Sequence, residues 1–171
     1  MNCATAWSAA RPLLLAACAV LAAPAAMAAT ANASCGIVSG TSTNFGVYDV
    51  VSTAPTDTVA TITVRCENLD AGNPNTSLTI AIGGGSGGSV NGRRMRHTGG
   101  STDILNYGLF RDSGRSAVWG ATPNIDAMTQ VVKVQNNRSA QALFTIYGRI
   151  PPLQDVTPGD YADQVQVTLS P

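Results

Sequence analysis

From Cys35 onward, apolar and polar residues exchange places at every other position in a series of short runs, the pattern of strands with one buried face. Residues 58–66 give the clearest run, with Ala60, Ile62, Val64 and Cys66 facing one way and Thr61, Thr63 and Arg65 the other. Residues 77–82 turn Leu78, Ile80 and Ile82 inward, and residues 104–110 set Leu105, Tyr107 and Leu109 against Asn106 and Gly108. Two more strands are predicted over residues 129–134 and 142–147, with Val118-Trp119 a short extended piece between them and the preceding turn. Cys35-Gly36-Ile37-Val38 and Asn44-Phe45-Gly46-Val47-Tyr48 predict two parts of a first strand, broken at Gly40-Thr41-Ser42. Gly148-Arg149-Ile150-Pro151-Pro152 breaks the pattern near the end of the chain.

A last run follows the turn signal Pro158-Gly159-Asp160. In it Tyr161, Asp163, Val165, Val167 and Leu169 share one face, and Ala162, Gln164, Gln166 and Thr168 the other. A strand with a buried face needs neighbours in its sheet, and the sequence supplies none after it. Tyr161, at the start of this run, is expected to tie down the preceding turn through its hydroxyl, similar to the tyrosine corner of immunoglobulin-like folds. No helical period is visible beyond residue 34. Short strands separated by Gly, Pro and Asn turns predict an all-β, immunoglobulin-like sandwich.

The N-terminus reads differently. Arg11 precedes an apolar run, and Ala26-Met27-Ala28 offers a small-residue cleavage site, so residues 1–28 are expected to be a secretory signal peptide and residues 29–171 one domain. Leu15-Ala16-Ala17-Cys18 also has the form of a lipobox; the short apolar stretch before Cys18 and the apolar sequence after it argue against lipidation. Cleavage removes Cys3 and Cys18, leaving Cys35 and Cys66 in an oxidising compartment, where a disulfide between them is expected. The inward phase of Cys66 fits that pairing. Charged residues make up 12% of the chain and its formal net charge is zero, which gives no electrostatic case for nucleic acid or an anionic membrane.

Four landmarks occur in a fixed order: Cys35 followed by Asn44-Phe45-Gly46-Val47-Tyr48-Asp49; Ala60-Thr61-Ile62-Thr63-Val64-Arg65-Cys66; Gly92-Arg93-Arg94-Met95; and Ile146-Tyr147-Gly148-Arg149-Ile150-Pro151 ahead of Pro158-Gly159-Asp160-Tyr161. In this order the sequence resembles the spore coat protein U domain family, which includes subunits of archaic, Csu-type chaperone-usher pili. The resemblance implies an incomplete, pilin-like immunoglobulin sandwich that lacks its final strand. A partner strand would fill the acceptor groove beside Val165, Val167 and Leu169, a form of β-augmentation. The implied partners are a periplasmic pilus chaperone, an outer-membrane usher and sister pilin subunits. The implied route runs through the periplasm to the cell surface or the medium, in service of adhesion and biofilm formation. The Ala-rich leader 29–34 lacks the alternating bulky residues of a good donor strand, which points to a place near the fibre tip. A surface-binding tip adhesin and a free-standing spore coat or matrix protein are the rival readings.

Enzymatic chemistry is not expected. Gly83, Gly85 and Gly88 fit G-x-G-x-x-G, but the residues after them do not open a helix, and a hairpin loop is expected instead. His97 is the only histidine, and no nucleophile motif accompanies it, so neither a metal site nor a catalytic triad is predicted. Cofactors are likewise not expected. Arg93, Arg94 and Arg96 read as a solvated strand edge. Asp160 and Asp163, three apart on a strand, point to opposite faces and do not form an acid/base pair.

Overall fold

The computed structural model describes residues 33–69 and 72–171; the expected signal peptide and the lipobox at Cys18 lie outside the described residues. In chain order the strands are β1 (Ser34–Gly40), β2 (Thr56–Asn68), β3 (Asn75–Ile82), β4 (Arg93–His97), β5 (Ile104–Phe110), β6 (Met128–Lys133), β7 (Arg138–Ile150), β8 (Tyr161–Ala162) and β9 (Val167–Ser170). They form two antiparallel sheets, β1-β2-β7-β5-β4-β8 and β6-β3-β9. This is the expected all-β sandwich. The only helical piece among the described residues is a 3-10 turn, Gly85–Gly87.

The two longest strands, β2 and β7, pair along their whole length, with Ile62 opposite Phe144 and Val64 opposite Ala142. Their alternation puts Ala60, Ile62, Val64, Phe144 and Ile146 into the core from the large sheet, where they meet Leu78, Ile80 and Ile82 of β3. Each such side chain taken out of water contributes on the order of 1.5–3 kcal/mol. Trp119 is fully buried among them, and its indole N–H donates to the Ile80 carbonyl at 2.8 Å. Its backbone N–H donates to the Leu109 carbonyl, which makes the extended piece expected at Val118-Trp119 a short extension of the β5 edge.

Four expectations change. Residues 44–48 form no strand. This segment instead folds over the inner face of β7, where the Phe45 ring lies edge-on to Tyr107 at 5.9 Å and covers Gly148. A Cβ at Gly148 would stand 2.9 Å from that ring, so the glycine is a seat for Phe45; β7 runs on through it to Ile150, where a break was expected. The final run is also divided. Tyr161 and Ala162 pair with β4 in the large sheet, whereas Val167 to Ser170 pair with β3 in the small one, so the chain crosses between sheets at residues 163–166.

The fourth change concerns Arg93. Arg94 and Arg96 are exposed, as a solvated edge requires, but Arg93 is fully buried because strand alternation puts it in phase with Met95 on the inner face. Its guanidinium donates to the carbonyls of Gly83, Val90, Ile82 and Trp119 at 2.7 to 3.1 Å. One side chain thus ties the end of β3, the glycine-rich loop and the Trp119 segment together. Arg93→Met would leave four carbonyls without this donor, and Arg93→Lys offers a single nitrogen that cannot span them. We expect Arg93→Met to lower unfolding stability by at least about 3 kcal/mol in a urea titration followed by tryptophan fluorescence, with Arg93→Lys recovering only part of it. A loss under about 1 kcal/mol for Met would contradict this role of Arg93.

Candidate functional site

The small sheet ends at β9. One side of β9 ladders with β3, Val167 opposite Ile82 and Leu169 opposite Ile80, while its other side carries no strand among the described residues. β1 is the corresponding edge of the large sheet, paired among the described residues with β2. At the start of β1, Cys35 is disulfide-bonded to Cys66, its direct opposite in the ladder. In the chain-entropy picture a loop of this length is worth roughly 3–4 kcal/mol, and the bond fastens the start of the β1 edge to β2.

Between these two edges lies a cavity of about 420 Å³. Ile37 and residues 40–45 form one lip, Val165 and Val167 the other, and Ile62, Ile82, Leu109 and Ile146 the floor. A second cavity of about 830 Å³ adjoins it; Phe45, Met95 and Tyr161 line both. Both are open clefts whose inner walls belong to the core. Ile37 is 43% exposed at the lip, whereas the floor residues are core members.

The face read from the last run persists across the crossing between sheets. Tyr161, Asp163, Val165, Val167 and Leu169 are half-buried and the residues between them exposed. Val165 and Val167 reach the cavity; Leu169 lies beyond it, packed on the core. Tyr161 donates its hydroxyl to the Thr157 carbonyl at 2.7 Å, the turn tie expected of it, and its ring stands edge-on to His97 at 5.1 Å.

Asp163 is the charged member of this lining, and its place was missed although its phase was plain. One carboxylate oxygen accepts the Ser86 and Gln164 backbone N–H groups at 2.8 and 2.9 Å, and the other accepts the Tyr107 hydroxyl at 2.7 Å. Burial pushes the Asp163 carboxyl up, but the Ser86 N–H and the Tyr107 hydroxyl outweigh it and hold the group below the usual carboxylate range. Burial, and then the carboxylate beside it, push the Tyr107 hydroxyl well above an ordinary phenol. One glycine of the G-x-G-x-x-G match serves this arrangement. A Cβ on Gly85, which has φ 62°, would fall 2.2 Å from an Asp163 oxygen. Among the described residues no group of His, Cys, Asp and Glu gathers that could hold a metal ion.

The comparisons agree with an all-β, two-sheet sandwich. The Spore Coat Protein U domain matches residues 19–168, and the chain belongs to that family, one of structural proteins rather than enzymes. It is 32% identical over 154 residues to Protein U of Myxococcus xanthus, covering 83% of this chain and 80% of that protein. In fold it is similar to a chain in the crystal structure of the CsuC-CsuE chaperone–tip adhesion subunit pre-assembly complex from the archaic chaperone-usher Csu pili of Acinetobacter baumannii. The TM-score is 0.51 at 20% identity, over 81% of this chain and 39% of that one.

Tyr107→Phe removes one hydrogen bond from Asp163 and should cost about 1–3 kcal/mol. Because the folded Asp163 value is depressed, its contribution is present above the unfolded value and is lost as pH falls through the folded one. Without the hydroxyl the folded value rises, so the variant should begin to unfold at a higher pH than the parent in an acid titration monitored by circular dichroism. Superimposable acid curves would show that the hydroxyl does not stabilise the ionised form.

Proposed function

We propose that this chain is an exported subunit of a surface fibre built by the chaperone-usher route, and that its groove receives a strand from another chain. The single observation that carries this is the side of β9 that no strand among the described residues covers, beside a largely apolar cavity. A free edge of this kind invites pairing with any extended segment, and a protein that works alone would blunt it. Val165, Val167 and Leu169 border the acceptor groove. A periplasmic chaperone lends a strand there first, and the N-terminal segment of a sister subunit replaces it at the outer-membrane usher. The fold likeness to a subunit solved with its chaperone supports this reading. The fibre acts in adhesion and biofilm formation at the cell surface. The Ala-rich leader favours a position near the tip, where no onward donation is needed.

Val167→Asp places a charge on the face that a partner strand would cover, at a cost of several kcal/mol once buried. Co-expressed with its chaperone, this variant should fail to co-purify and should be degraded, while Thr168→Asp, on the exposed face of the same strand, should be captured normally. Equal capture of both variants would remove the groove assignment. For the position in the fibre, immunogold labelling is expected only at fibre ends; labelling along the whole shaft would remove the tip placement and leave the subunit reading standing.

A further inference from the structure

The groove is apolar along most of its length, and an apolar groove alone sets register poorly. A strand that slides by two residues keeps the same face inward and presents similar side chains to Val165 and Val167. Asp163 breaks this degeneracy. It stands two residues before Val165 on the same inward face, with Tyr107 beside it, so the lining reads acid, apolar, apolar along the cavity.

The carboxylate has only uncharged donors. The backbone N–H groups of Ser86 and Gln164 bind one oxygen and the Tyr107 hydroxyl the other, and the Ser86 side chain adds to them. Asp163 makes no salt bridge among the described residues. The nearest buried cation, Arg93, gives its hydrogen bonds to carbonyl oxygens instead. A strand laid in the groove would strip water from this side of Asp163. That loss is repaid only if the strand brings a donor, and a cationic donor makes the stronger bond.

Resting on the groove reading above, we infer that Asp163 with Tyr107 is the register-setting and specificity-determining element of the groove. It selects an extended partner strand with apolar inward residues opposite Val165 and Val167 and a Lys or Arg opposite Asp163.

The test uses the full chain, refolded with its disulfide intact in the presence of short synthetic strands. Three peptides share an alternating Val/Thr frame just long enough to span the inward positions. They differ in carrying a Lys at the end inward position, a Met there, or a Lys at a middle inward position. We expect the end-Lys peptide to bind at least about tenfold more tightly than the other two. In Asp163→Asn, which keeps the side-chain shape but not the charge, the end-Lys and end-Met peptides should bind alike. A merely structural role for Asp163 would lower the melting temperature of the variant without peptide and leave the Lys-to-Met ratio at its parental value; that result overturns the inference. So does equal binding of end-Lys and end-Met peptides to the parent, which leaves the groove reading intact. If no peptide of the three binds the parent chain, the groove reading fails and this inference with it.

Discussion

Backbone pairing in the terminal segment governs the rest of this molecule. Residues 161–162 ladder with β4 in one sheet and residues 167–170 with β3 in the other, so a single short stretch joins the two layers. A segment that serves both sheets cannot be covered on its outer side by either. The cavity between β9 and β1 follows from that crossing, as does the half-burial of every second side chain from Tyr161 to Leu169. A continuous terminal strand laddered to β4 along its length would have left β3 as an edge of the small sheet.

Holding two sheets apart over an incompletely filled core needs ties that do not rely on packing, and the structure supplies them as polar bonds. Arg93 binds four carbonyls from three separate segments around the end of β3. Asp163 binds the 3-10 turn through Ser86 and β5 through Tyr107 at the point where the chain changes sheets. The Cys35–Cys66 bond pins the opposite edge. Buried polar groups of this kind stabilise little on balance while satisfied, but they are costly to leave half-satisfied, which makes the arrangement specific. Of the three, Asp163 lines the cavity itself.

Much of this was legible in the sequence, and the misses share a cause. Period-two alternation gave β2, β3 and β5 with their inner faces, because burial against a facing sheet acts residue by residue. The same phase placed Cys66 inward and Tyr161 over its turn. Alternation does not say which strand lies alongside, and that is where the reading failed. Residues 44–48 alternate well enough to suggest a strand, yet Phe45 is drawn onto Gly148 and the backbone has no ladder. The break expected at Gly148 had the same origin: the glycine makes room for a ring from a distant segment. Arg93 was misread because its charge was weighed before its phase, although Met95 two residues later gave the inner face of β4.

The floor of the groove and the core of the sandwich are the same residues. Ile62, Ile82, Leu109 and Ile146 line the cavity on one side and pack in the hydrophobic cluster on the other. A strand entering the groove would therefore complete the core, not decorate its surface, and its binding free energy would be added directly to the stability of the fold. Any segment that binds only the folded chain stabilises it by mass action, and here the bound segment would also supply the missing core side chains. On that reading folding and partner capture would be one equilibrium. The polar ties would then hold the walls of the site in place before a strand arrives, where a core held by packing alone would tend to collapse.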